Sequence, residues 1–206
     1  MDILKLIKNR KTIRRYTNKP IPKKILDKII EAGIWGPSVP SFLRIQPWRF
    51  IISCDKKIIK NISEIVFEKS KHLGAGANIL VSAASRIISG TPAVILIYNS
   101  EDLKKIQNKY KEVYANFGDI ISRTELSAIS AAIQNMILVA ESLKVGSCWL
   151  DTPLFCKKEI NKLLGINDEL VAVLTLGYPA ENVKRSPRKP LSETVKYIKW
   201  AKNMML

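Results

Sequence analysis

Histidine is almost missing from this chain: His72 is the only one in 206 residues. That leaves nothing for a histidine-ligated metal centre, and no metal is expected. A Ser/His/Asp triad would have to use that one residue, which sits beside the glycines of "HLGAGAN". Cysteine is scarce too. Cys54, Cys148 and Cys156 are odd in number and form no CxxC, so no disulfide framework is expected. Long apolar runs are lacking: "AVILIY" and "LVAVLTLG" are far too short to span a bilayer. No apolar stretch follows Met1 before the cations begin, so the reading is a cytoplasmic protein without a membrane partner. The phosphate-binding GxxxxGK[ST] and the nucleophile turn GxSxG are absent. "HLGAGAN" lacks both the third glycine and the preceding strand of a dinucleotide fingerprint. An enzyme with so little acid–base equipment takes its chemistry from a cofactor.

Acid is also in short supply, and this is the main anomaly. Thirty-four Lys and Arg face eighteen Asp and Glu, a net charge of +16. The excess is concentrated at the two chain ends. Lys5 to Lys24 carries nine cations and no acid, and Lys184 to Lys202 carries seven against Glu193 alone. A nucleic-acid-binding module would interleave aromatics with such cations. The basic blocks hold only Tyr16, Tyr197 and Trp200, while Trp48 and Trp149 lie in apolar strands, which disfavours that reading. Two basic blocks meeting around one anion is the alternative.

The chain shows no repeat, low-complexity tract or linker, so a single domain over residues 1–206 is expected. Asp2 caps a first helix with Ile3, Leu6 and Ile7 at helical spacing, and a second begins at Pro22. "WRFIIS" and "AVILIYN" read as buried strands. Lys56–Glu68 and Glu101–Glu112 read as surface helices, and Ala75–Ser89 is ambiguous. The helix Ser127–Leu143 is apolar almost all round, which points to a core or an oligomer interface. "SCWL" and "LVAVLTLGYP" are strands, the latter central. Helices and strands do not alternate, so the fold class is α+β.

Within the first basic block, extended backbone after the first helix would direct Arg10, Thr12 and Arg14 the same way, a good complement to a phosphate. Arg188 and Lys189 stand between prolines in "SPRKP". These segments join two others in a pattern. "RKTIRRY" with "NKPIP", "EAGIWGPSVPSFLRIQPWRFII", "AAIQNMILVAESLKVGSCWL" and "LGYPAENVKRSPRKPLSETV" resemble, in order and from end to end, the motifs of the nitroreductase family of FMN-dependent flavoproteins.

The resemblance implies a central, mostly antiparallel sheet flanked by helices, in an intertwined homodimer with FMN at the interface. It implies a ping-pong oxidoreductase that passes electrons from NAD(P)H through FMN to a small acceptor such as a nitroaromatic or quinone. It places Arg10, Lys11, Thr12 and Arg14 at the FMN site, with Arg14 as a stabiliser of the reduced flavin. Pro37, Ser38, Val39 and Gln46 fall beside the ring, Leu150, Asp151 and Thr152 near flavin N5, and Arg188 and Lys189 at the phosphate. Three departures touch the reactive edge. The loop from Pro37 to Gln46 is longer than the family pattern, Arg44 stands where Asn is usual, and Asp151–Thr152 replaces Gly-Gly. A divergent member that fragments flavin or removes halogen is the alternative those departures keep open.

Overall fold

The computed structural model describes residues 2–39, 44–110 and 118–198. In chain order these form α1 (Ile3–Asn9), α2 (Lys23–Ile34), β1 (Trp48–Ser53), α3 (Lys56–Ser70), α4 (Ala75–Ser89), β2 (Ala93–Asn99) and α5 (Asp102–Lys109). There follow α6 (Gly118–Ser142), β3 (Gly146–Leu150), a 3-10 turn (Thr152–Cys156), α7 (Lys157–Leu164), β4 (Glu169–Gly177) and α8 (Leu191–Thr194). The strands make one antiparallel sheet in the order β1-β2-β4-β3. This is the expected α+β class.

The sheet is covered on both faces, which is why β2 and β4 read as continuous apolar runs rather than alternating ones. Successive side chains of a strand point to opposite faces. Ala93, Ile95 and Ile97 accordingly join a core with Leu26 and Ile29 of α2 and Ile129, Ile133 and Met136 of α6. Val94, Leu96 and Tyr98 join a second core with Ile59, Ile62 and Val66 of α3, Val81 and Ala84 of α4 and Ile160 of α7. Every residue of β2 is buried, but β1 is only half-buried. Its edge position is a property of strand order, which "WRFIIS" does not reveal.

The ambiguous Ala75–Ser89 segment is helical, locked to α3 by reciprocal bonds. Ser85 Oγ donates to Ser63 O at 2.9 Å, and Ser63 Oγ to Ser85 O at 3.1 Å. The α1 cap is as expected, with Asp2 Oδ1 accepting from Leu4 N and Lys5 N. The expected end of a helix at Glu112 lies outside the described residues.

Of the two settings expected for the apolar helix, a core or an oligomer interface, the structure shows the first. Ala132, Ile133, Met136, Ile137 and Ala140 are buried by α2 and the sheet of the same chain, so α6 is a core helix that requires no partner to cover those residues. Exposed apolar surface lies on Ile120 and Leu126 of α6 and, more fully, on Ile3 (70%), Leu4 (57%) and Trp35 (78%). Among the described residues, no helix is long and apolar enough to cross a membrane.

Candidate functional site

Residues 10–17 run along the outer edge of β3 and past the end of β4. Ile13 N donates to Ser147 O and Thr17 N to Tyr178 O, both at 2.9 Å, and Ala180 N donates back to Arg15 O at 3.0 Å. Two glycines admit this segment. Gly146 and Gly177 face each other in the β3–β4 register. A Cβ on Gly146 would lie 2.8 Å from Ile13 Cβ, and one on Gly177 would lie 2.6 Å from Tyr16 Cδ1. Such distances are closer than carbon atoms tolerate, so only glycine lets the segment lie flat on the sheet. Tyr16 then bonds Ile13 O at 2.6 Å and Thr175 Oγ1 at 2.8 Å through its hydroxyl. Burial raises the Tyr16 phenol above its ordinary value and pushes the Cys148 thiol to about 11, so both are neutral.

Held this way, the first basic block meets the second. Arg10, Lys11, Thr12 and Arg14 share a cleft of about 90 Å³ with Val183, Lys184, Arg185, Ser186 and Arg188. Six cations and two hydroxyls line it, and among the described residues no carboxylate does. Amides and hydroxyls position the cations without neutralising them. Arg185 Nη2 donates to Asn9 Oδ1 at 2.9 Å, Lys11 Nζ to Asn182 Oδ1 at 3.4 Å, and Arg10 Nη1 to Thr12 Oγ1 at 3.5 Å. Arg188 Nη1 donates to the carbonyls of Ser186 and Pro187, each at 3.2 Å. Arg10, Thr12 and Arg14 share the cleft, and Lys11 between them lines it too.

Of the other expected site residues, Lys189 is exposed just past Arg188. Leu150 is buried at the end of β3, and Asp151 accepts from Trp149 Nε1 at 2.6 Å before Thr152 opens the 3-10 turn. Val39 N donates to Ile45 O at 2.9 Å, which ties the 37–46 loop to itself. Arg44 is exposed with φ +52°, a left-handed conformation uncommon for arginine. Residues 40–43 of that loop lie outside the described ones. Among the described residues, Pro37, Ser38, Val39, Arg44, Gln46, Leu150, Asp151 and Thr152 do not line the cationic cleft.

Three larger cavities occur, the smallest of them, about 310 Å³, beside the cleft with Lys11, Val183, Glu141 and Glu181 in its lining. One of about 600 Å³ carries Glu64, Glu68 and Glu159, the wrong charge for a phosphate. Another of about 540 Å³ carries Cys54, Lys56 and Lys60. None of the three contains residues from both basic blocks. Among the described residues, no group of three His, Cys, Asp or Glu side chains is arranged to hold a metal.

Sequence reasoning passed over Glu181. Its Oε1 accepts from Arg14 N at 2.8 Å and Arg15 N at 3.1 Å, and its Oε2 lies 3.3 Å from Arg15 Nε. The Arg14 backbone bond in particular holds this carboxyl below its ordinary pKa, so it is ionised at neutral pH. The available signal was its isolation, as the only acid between Glu169 and Glu193.

Comparison with known proteins follows the same outline. A Methanothermobacter thermautotrophicus protein provisionally named NADH dehydrogenase/NAD(P)H nitroreductase is 28% identical over 186 residues, covering 88% of this chain and 80% of its own length. The iodotyrosine deiodinase of Nematostella vectensis is 28% identical over 206 residues, covering 93% of this chain and 73% of its own. A provisionally assigned nitroreductase of Desulfovibrio desulfuricans, solved in complex with FMN, superimposes with a TM-score of 0.71 at 25% identity, covering 98% of this chain and 99% of that one. The sequence model of the nitroreductase family matches residues 7–178, so this chain belongs to the nitroreductase family of oxidoreductases.

Proposed function

We propose that this chain binds FMN and passes reducing equivalents from NAD(P)H to a small electron acceptor, such as a nitroaromatic or quinone, in a ping-pong cycle. It acts as a single FMN-binding domain over residues 1–206, in a cytoplasmic homodimer. The carrying observation is the convergence of two basic segments, about 170 residues apart in sequence, on one cleft without acid. A ribityl phosphate fits that lining. It brings up to about two negative charges at neutral pH, and the cleft offers guanidinium forks, ammonium groups and the hydroxyls of Thr12 and Ser186 to receive them.

When bound, FMN supplies the redox chemistry. The residues of this chain hold and orient it. Arg10, Lys11, Thr12 and Arg188 would grip the phosphate, with Lys189 adding charge at the rim. Arg14 would place a positive charge where negative charge gathers on the reduced ring. The 37–46 loop and residues 150–152 would meet the ring rather than the phosphate, in keeping with their absence from the cleft lining. A homodimer would cover the exposed Ile3, Leu4 and Trp35. The FMN complex of the Desulfovibrio protein supports the cofactor assignment. The match to an iodotyrosine deiodinase, together with Arg44 and Asp151–Thr152 at the expected reactive edge, keeps reductive dehalogenation as a second reading.

The test is the visible spectrum of the purified protein after incubation with FMN, with Arg188→Ala beside it. The expected result is a bound flavin band and a Kd raised about thirtyfold in the variant, roughly 2 kcal/mol for one charge-assisted bond. A protein that takes up no flavin would overturn the proposal.

A further inference from the structure

An acid next to an anion site is out of place on Coulomb grounds. Glu181 is ionised, stands beside the segment that forms one wall of the cationic cleft, and by charge alone would repel any anion bound there. Its contacts show what offsets that repulsion. One oxygen, Oε1, receives the successive backbone N–H groups of Arg14 and Arg15, as a bound anion would occupy a backbone nest. These two donors have no strand partner to bond, because the segment pairs with the sheet through Ile13 N, Arg15 O and Thr17 N. Glu181 itself follows the Ala180 N–H that pairs with Arg15 O, so the carboxylate closes the gap between two backbone bridges.

We infer that Glu181 is a positioning residue of the anion site: its carboxylate fixes the Arg14–Arg15 backbone so that the Arg14 side chain faces the cleft. This rests on the FMN reading for the identity of the anion, but not for the geometry. The ion pair to Arg15 is secondary, since that side chain is 82% exposed and a surface pair contributes little.

The sign of the effect separates positioning from simple charge. Removing a negative charge next to a phosphate tightens binding if Coulomb repulsion is all that Glu181 supplies. It weakens binding if Glu181 holds Arg14 in place. FMN titrations of Glu181→Gln, Glu181→Ala and Arg15→Gln decide between the two. The expected result is a Kd raised about tenfold in E181Q and further in E181A, with R15Q within twofold of the parent and all three folded by circular dichroism. Amide hydrogen exchange at Arg14 and Arg15 in the flavin-free proteins reads the same geometry without a cofactor, and should be faster by at least tenfold in E181Q. A Kd that is unchanged or lower in E181Q overturns the inference. If the parent binds no FMN, the FMN reading fails instead, and unchanged exchange at those two amides still overturns the role of Glu181.

Discussion

Replacing Gly177 by Ala tests whether the basic segment owes its position to the glycine pair beneath it. The added Cβ would stand 2.6 Å from Tyr16 Cδ1 and 2.7 Å from its Cβ and Cγ. The ring cannot yield easily, since its hydroxyl is bonded to Ile13 O and Thr175 Oγ1 and its backbone bridges Pro179. Overpacking of this kind costs about 1–3 kcal/mol. Loss of the hydroxyl bonds adds about 1 kcal/mol, and the lower backbone entropy of alanine in the unfolded chain returns about 0.5–1 kcal/mol. The net loss is about 1–3.5 kcal/mol, a fall in Tm of roughly 2–14 °C for a chain of this size. Gly76→Ala is the control: its Cβ would meet nothing within 4 Å, and alanine suits the first turn of α4 better than glycine. Thermal unfolding by circular dichroism measures both, and an FMN titration of G177A should show weaker binding as Arg14 moves with Tyr16. If G177A melts within a degree of the parent and binds flavin equally well, the close approach of Tyr16 to the sheet is wrong.

Two further outcomes follow from other parts of the molecule. Arg44→Asn restores the residue usual in the family at a position with φ +52°, which asparagine adopts more readily than arginine, so the variant should be as stable as the parent or slightly more so. If Arg44 faces the flavin or its incoming substrate, the flavin midpoint potential or the KM for NADPH shifts severalfold, and no change in either assigns Arg44 to the surface. With Ellman's reagent the native protein should expose one rapidly reacting thiol and the denatured protein three. Cys54 is exposed, whereas Cys148 and Cys156 are buried with thiols pushed up by desolvation to about 11 and about 12. Fast reaction of a second thiol in the native state contradicts the packing between the sheet and α7.

Much of the fold was legible because its signals are local. Asp2 caps its helix, and the unbroken apolar runs of β2 and β4 follow from burial on both faces. What escaped depends on distant neighbours. The half-burial of β1 follows from its place at the sheet edge, and the helical state of Ala75–Ser89 from a Ser63–Ser85 contact across two helices. The all-round apolar pattern of α6 was legible, but not what covers it, because the pattern is the same whether the cover is α2 of this chain or a second copy. The cationic cleft was legible because side-chain charge is written directly in the sequence. Glu181 was not, because its work is done on backbone N–H groups 166 and 167 positions away.

That difference explains how the cleft can exist at all. Six cations in about 90 Å³ repel one another, and the direct remedy, an acid among them, would occupy the site an anion needs. The chain separates the two requirements. Neutral acceptors, namely Asn9, Asn182, Thr12 and the carbonyls of Ser186 and Pro187, set the direction of the side chains and leave their charge intact. The ionised acid acts one layer back, on the backbone, where it orders Arg14 without entering the cleft. If the cleft takes an anion as proposed, that anion relieves the residual repulsion, and occupancy and folding are coupled. A ligand at a hundred times its Kd adds about 2.7 kcal/mol to the folded state. A basic block read from sequence alone is equally consistent with a solvated surface. What supports reading this one as a site is the arrangement that keeps its cations together and unneutralised.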